Sequence, residues 1–124
     1  MIKTWVSMLT LGLAALSLTV AQADGVAKAK YGGVVQKAND ITYELVAQAD
    51  GAAIYVDDHG KPVAVTGASG KLTVLDGSTK SEAELKPVGD KLEAKGIKLA
   101  PGSKVVAAVT TADKKTVSVR FTMK

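Results

Sequence analysis

The feature that most constrains the fold is a regular succession of short runs rich in Val, Ile, Thr and Tyr. Turn-forming residues interrupt these runs about every ten positions. The clearest run, residues 116–123, alternates strictly between polar and apolar side chains. A period of two indicates a strand with one buried face, because successive side chains point to opposite sides. The pattern therefore predicts an all-β protein.

Counting the runs defines the predicted architecture. About eight strands are expected, at residues 41–47, 52–57, 62–66, 71–75, 82–86, 91–95, 104–111 and 116–123. Asp50-Gly51 is expected to supply the positive φ of a hairpin turn, and Pro62 favours an edge strand. This spacing is typical of an antiparallel β-sandwich of immunoglobulin-like size. We predict one domain over residues 34–124, preceded by a loose leader over residues 24–33.

The first 23 residues carry the pattern of an export signal. Lys3 precedes an uncharged apolar run, and Ala21-Gln22-Ala23 ends that run with small residues around one spacer. The run is shorter than the roughly 20 residues needed to span a bilayer. We therefore predict a cleavable signal peptide over residues 1–23, a periplasmic location and no stable membrane insertion after cleavage.

Composition excludes most kinds of catalytic chemistry. The chain has no Cys and one His, which excludes disulfides, thiol nucleophiles and zinc fingers. No Ser has an identifiable base, so no enzyme is predicted. The 16 basic and 12 acidic residues are interleaved rather than clustered, so no nucleic-acid partner is predicted.

One loop, Asp57-Asp58-His59-Gly60, holds the remaining chemistry. Imidazole and carboxylate groups both bind zinc, copper, nickel or cobalt. His59 would be the strongest single ligand, with Asp57 and Asp58 as helpers, and further ligands would have to come from distant loops or a partner. Alternatively, Asp and Gly form a turn and His59 is a solvated loop residue. We predict at most weak divalent metal binding and no resident cofactor.

Seven short sequence segments follow one another along the chain. They are Tyr43-Glu44-Leu45-Val46, Ile54-Tyr55-Val56-Asp57-Asp58-His59-Gly60-Lys61-Pro62-Val63, Thr73-Val74-Leu75-Asp76-Gly77, Leu85-Lys86-Pro87-Val88-Gly89, Lys91-Leu92, Ala100-Pro101-Gly102-Ser103-Lys104-Val105-Val106 and Lys115-Thr116-Val117-Ser118-Val119-Arg120-Phe121. This order resembles a small exported β-domain of Gram-negative bacteria. That domain occurs alone or attached to the periplasmic adaptor subunits of heavy-metal efflux systems of the cobalt–zinc–cadmium and copper–silver kind.

The chain departs from that family at two places. Members often carry a His-Gly-Gly near the start and another His in the strand before Glu-Leu-Val. Tyr31-Gly32-Gly33 and Ile41-Thr42-Tyr43 stand there instead. Of the histidines, only His59 matches the family pattern.

The resemblance implies a non-enzymatic accessory or interaction domain of the periplasm, associated with heavy-metal efflux or metal stress. Its partner would be an efflux adaptor or another envelope protein. The alternative is a structural, adhesin-like or chaperone-like binding module of the envelope with no metal role. Neither interpretation specifies an oligomeric state.

Overall fold

The computed structural model describes residues 28–124. The predicted signal peptide over residues 1–23 and the beginning of the predicted leader, residues 24–27, lie outside the described residues. Within residues 28–124, no helix has the length and apolar character needed to cross a membrane.

Nine β-strands make up the described part of the chain. They are β1 (Val34–Ala38), β2 (Ile41–Gln48), β3 (Gly51–Asp58), β4 (Lys61–Pro62), β5 (Ser69–Asp76), β6 (Thr79–Val88), β7 (Lys91–Lys95), β8 (Lys104–Thr110) and β9 (Thr116–Thr122). Every paired neighbour runs antiparallel. The prediction of an antiparallel all-β fold of about eight short strands is confirmed.

The strands form one sheet in the order β1-β2-β3-β7-β6-β5-β8-β9, with β4 attached to β3. The ten-residue strand β6 links the two halves, because its first part pairs with β5 and its last residues pair with β7. The sheet curls until Cα atoms of β1 and β9 approach within 8 Å. The result is a nearly closed, barrel-like sheet around one core.

Inward-facing side chains from both halves of the sheet build the core. The largest fully buried apolar residues are Leu45, Ile54, Leu72, Leu85, Leu92 and Val105. Burial of each such side chain contributes about 1.5–3 kcal/mol to stability. The alternation expected over residues 116–123 is present, since Val119 and Phe121 are buried while Arg120 is exposed.

Gly51 has a different role from the one predicted. Neither Asp50 nor Gly51 has a positive φ, so the expected turn geometry is wrong. Gly51 instead begins β3, where a Cβ atom would lie 2.0 Å from the carbonyl oxygen of Ala94. The position requires glycine because two strands approach too closely for any side chain.

The strand expected over residues 62–66 is shorter than predicted. Only Lys61–Pro62 pairs with the end of β3, and Val63 adds one N–H bond of 2.9 Å to the Val56 carbonyl. The chain then turns away, and the Ala68 N–H donates to the Val65 carbonyl. The pairing with β3 therefore ends at Val63, and Pro62, which has no N–H, offers no donor on the outer side of this edge.

Candidate functional site

Two tight turns lie side by side at one end of the sheet. Asn39 and Asp40 connect β1 to β2 with φ values of 50° and 70°, and His59 and Gly60 connect β3 to β4 with 53° and 91°. Two positive φ angles in a two-residue loop are the mark of a type I′ hairpin turn. The backbone of each turn therefore fixes where its side chains point.

The register of β2 and β3 brings these turns together. Thr42 lies opposite Asp57, and continuing the same register past the strand ends places Asp40 opposite His59. The distance from Asp40 Oδ2 to His59 Nε2 is 4.0 Å. Both side chains are largely exposed, at 74% and 68%, so both can reach a solvent-borne ligand.

Asp58 orients the imidazole of His59. Its Oδ1 lies 2.6 Å from His59 Nδ1. An ionised carboxylate can only accept, so Nδ1–H is the donor. In the neutral imidazole the free lone pair is then on Nε2, the nitrogen nearer Asp40. Asp58 therefore contacts the imidazole on the side away from Asp40.

Asp57 is separated from this arrangement. It lies on the opposite face of β3 from Asp58, because side chains alternate along a strand. Its Oδ2 accepts a hydrogen bond from Lys30 Nζ. The structure thus brings Asp58 to His59 but not Asp57, and residues 28–124 contain no group of three or more His, Asp or Glu side chains arranged to hold a metal ion.

A second set of contacts involves residues 28–33, here called the arm, which cross the outer face of β2 and β3. The carboxylate of Glu44 accepts three arm N–H groups, from Lys30 at 2.8 Å, Tyr31 at 2.9 Å and Gly33 at 2.8 Å. Glu44 is only 5% exposed, and three donors offset the cost of burying its carboxylate. Over Lys30 to Gly33, the expected loose leader is bonded to β2.

Side chains of the arm continue this attachment. The rings of Tyr31 and Tyr55 stack with centroids 3.7 Å apart and an interplanar angle of 14°. Lys30 Nζ reaches Asp57 Oδ2 and lies 3.4 Å from the carbonyl oxygen of Gly60. The hydrogen bond to Asp57 raises the pKa of Lys30 above its ordinary value.

A cleft of about 390 Å³ opens between the arm and the strands, here called the arm cleft. Tyr55 and Asp57 line it from β3, Lys30 lines it from the arm, and His59 and Asp40 line it from the two turns. The arm cleft therefore combines an aromatic surface with groups of both charges.

Asp40 is the site residue that sequence reasoning missed, although a signal for it exists. A two-residue loop at residues 49–50 places Gln48 opposite Gly51. Counting back along that register places Asp40 opposite His59. The contacts of Lys30 and Tyr31 have no such signal, because the path of the arm over the sheet is a tertiary property.

No protein-family model, no curated protein and no solved structure matches this chain. The resemblance to the efflux-associated domain stays a prediction that rests on the sequence segments given above.

Proposed function

We propose that the protein is a non-enzymatic accessory domain of the periplasm that makes weak, transient contacts with divalent metal ions. The observation that carries this proposal is the pairing of His59 Nε2 with Asp40 Oδ2 at 4.0 Å, while Asp58 holds Nδ1 at 2.6 Å. The proposed setting is heavy-metal efflux or metal stress.

The spacing of the two atoms suits one shared ion. Zinc takes nitrogen and oxygen ligands at about 2.0–2.2 Å in a tetrahedral arrangement, which places two ligands about 3.4 Å apart. A small rotation of either exposed side chain closes the difference from 4.0 Å. Water or a partner protein would supply the other ligands, so the affinity is low.

The neighbouring charges modulate this contact in opposite directions. A carboxylate that accepts the other ring N–H of a metal-binding histidine fixes the tautomer and makes the ligand nitrogen more basic, and Asp58 has that position. Lys37 opposes binding, because its Nζ lies 3.6 Å from Asp40 Oδ1 and competes with an ion for the carboxylate.

Two sequence features support the proposed export and the proposed partner. The signal-peptide pattern of residues 1–23 supports a periplasmic location. The resemblance supports an efflux adaptor, or another envelope protein, as the partner. A domain with weak metal contacts would act by passing ions to or from such a partner rather than by storing them.

The test is a titration of residues 24–124 with Zn²⁺ and Cu²⁺ that is monitored by two-dimensional NMR. We expect binding in the millimolar range or slightly tighter, with shifts caused by Zn²⁺ and line broadening caused by Cu²⁺ both centred on His59 and Asp40. His59→Asn removes the imidazole while tolerating the positive φ of the turn, and it should abolish the shifts. The exposed Asp76→Asn is the matched control. Unchanged binding in His59→Asn, or no binding at millimolar metal, would overturn the metal role.

A second candidate is a binding module of the envelope with no metal role. The observation that favours it is the arm cleft, whose stacked Tyr31 and Tyr55 form an aromatic surface of the kind that protein interfaces favour. Affinity capture from periplasmic extract separates the candidates. Recovery of an efflux adaptor favours the first, and recovery of pilus or wall components favours the second.

A further inference from the structure

We propose that Asp57 forms a binding site for a guanidinium group, such as the arginine side chain of a partner protein. In this proposal Lys30 is an intramolecular occupant that an incoming guanidinium displaces. The proposal is independent of metal binding at His59 and assigns a ligand to the arm cleft.

The first observation is that Asp57 is incompletely paired. Its side chain is 17% exposed, and Oδ2 accepts from Lys30 Nζ. Its other oxygen, Oδ1, is buried and has no hydrogen-bond partner within residues 28–124. Buried carboxylate oxygens normally have partners, so Oδ1 is an acceptor that the present contacts leave unused.

The second observation is that lysine fits this set of acceptors poorly. An ammonium group is a compact charge, and that of Lys30 engages one oxygen of Asp57 while lying 3.4 Å from the Gly60 carbonyl. That separation exceeds the usual N–H···O range of about 2.7–3.2 Å. A guanidinium is planar with five N–H donors in a fork, which can bond both oxygens of one carboxylate at once. It would also have N–H groups left for Gly60.

The third observation is an aromatic surface beside the carboxylate. Tyr55 and Asp57 are two residues apart on β3, so their side chains share a face about 7 Å apart. The ring of Tyr55 stacks on that of Tyr31, and both line the arm cleft. Guanidinium groups and their methylene stems stack on aromatic rings. Tyr31 covers one face of Tyr55, and Lys91 Nζ lies 5.9 Å from the Tyr55 centroid, so a ligand anchored at Asp57 can lie against the exposed ring of Tyr31.

The attachment of the arm allows Lys30 to leave without unfolding. The backbone N–H of Lys30 is bonded to Glu44, as are those of Tyr31 and Gly33. The side chain of Lys30 is half exposed, so its ammonium can swing into solvent while the arm keeps its Glu44 contacts. The contact between Lys30 and Asp57 is therefore exchangeable.

The experiment measures binding of N-acetyl-arginine amide to isotope-labelled residues 24–124 by NMR, in EDTA. The matched probe is N-acetyl-lysine amide. For Lys30→Ala we expect affinity for the arginine probe to rise at least about fivefold, since a competing occupant is removed. The control Lys98→Ala, at an exposed lysine outside the arm cleft, should leave affinity unchanged. Shifts should centre on Tyr55, Asp57 and Gly60.

Two further variants make the outcome decisive. Lys30→Arg should supply the missing donors from within the chain, so it should raise the melting temperature and block the arginine probe. Asp57→Asn should abolish binding. Equal affinity of Lys30→Ala for the two probes, or no gain in melting temperature for Lys30→Arg, would overturn the proposal even where Asp57→Asn fails to fold.

Two controls show whether the guanidinium belongs to a protein or to free arginine, and distinguish this site from the metal contact at His59. Tighter binding of the blocked probe than of free L-arginine assigns the site to an arginine within a protein, and the reverse assigns it to the free amino acid. Both results support a guanidinium site. Because His59→Asn should lose metal binding but keep arginine binding, failure of one proposal is distinguishable from failure of the other.

Discussion

Asp40 and His59 face each other across the end of the β2–β3 pair, with Oδ2 and Nε2 4.0 Å apart, although they are nineteen positions apart in the chain. The β2–β3 register and two type I′ turns produce this proximity. Neither side chain is buried. The backbone, rather than side-chain packing, therefore positions both groups.

This relationship predicts the effect of Asp40→Asn on metal binding. Asparagine tolerates the positive φ of 70° at this position, so stability should change by less than about 0.5 kcal/mol. Replacing a carboxylate ligand with an amide should weaken zinc binding at least about threefold, equivalent to about 0.6 kcal/mol. Paired thermal unfolding and zinc titrations check both values. Equal zinc affinity in wild type and Asp40→Asn would remove Asp40 from the site.

Glu44→Gln should loosen the arm. The amide side chain offers one acceptor oxygen, and its NH₂ group would face backbone N–H donors that the carboxylate now accepts at 2.8–2.9 Å. Hydrogen bonds to charged groups contribute about 1.5–3 kcal/mol each, so we expect a loss of about 2 kcal/mol or more.

Urea unfolding and amide hydrogen exchange measure this effect. Exchange of the Lys30, Tyr31 and Gly33 amides should quicken more than exchange in the core strands. Glu84→Gln, at an exposed site on β6, is the control and should be nearly neutral. Unchanged protection of the three arm amides would contradict the role of Glu44.

The strands were predictable from sequence because their side chains alternate over one shared core. The run at residues 116–123 shows this directly, since its apolar residues face inward as β9. The predicted loop Asp57-Asp58-His59-Gly60 contains a turn at His59 and Gly60, where both φ angles are positive and glycine accepts such an angle readily.

The candidate site was predictable only in part. His59 and Asp58 meet because they are sequence neighbours in a turn. Asp57 was expected beside them, but strand alternation places it on the other face, where Lys30 binds it. The arm contacts join residues that are 11 to 30 positions apart, and local sequence patterns do not encode how the arm crosses the sheet.

Gly51→Ala should be strongly destabilising. The added methyl would lie 2.0 Å from the Ala94 carbonyl oxygen, so β3 and β7 would have to separate. Overpacking of this kind costs about 1–3 kcal/mol and occasionally more. Denaturant unfolding measures the loss. Ser81→Ala, at an exposed position of β6, is the control, and a similar small effect for both variants would show that the strands can move apart freely.

Stability should decline at alkaline pH through Tyr43 and Lys30. Burial raises the pKa of Tyr43 above its ordinary value of 10.0. The unfolded chain therefore ionises first, and stability falls as pH rises above about 10. The raised pKa of Lys30 acts in the same direction, because its bond to Asp57 is lost as pH rises through the folded-state value.

Urea unfolding between about pH 8 and 11.5 should show a shallower decline for Tyr43→Phe, and for Lys30→Met, than for wild type. The control Thr79→Ala, at an exposed residue with no ionisable group, should retain the wild-type slope. A wild-type slope in Tyr43→Phe would mean that its buried hydroxyl does not link folding to pH.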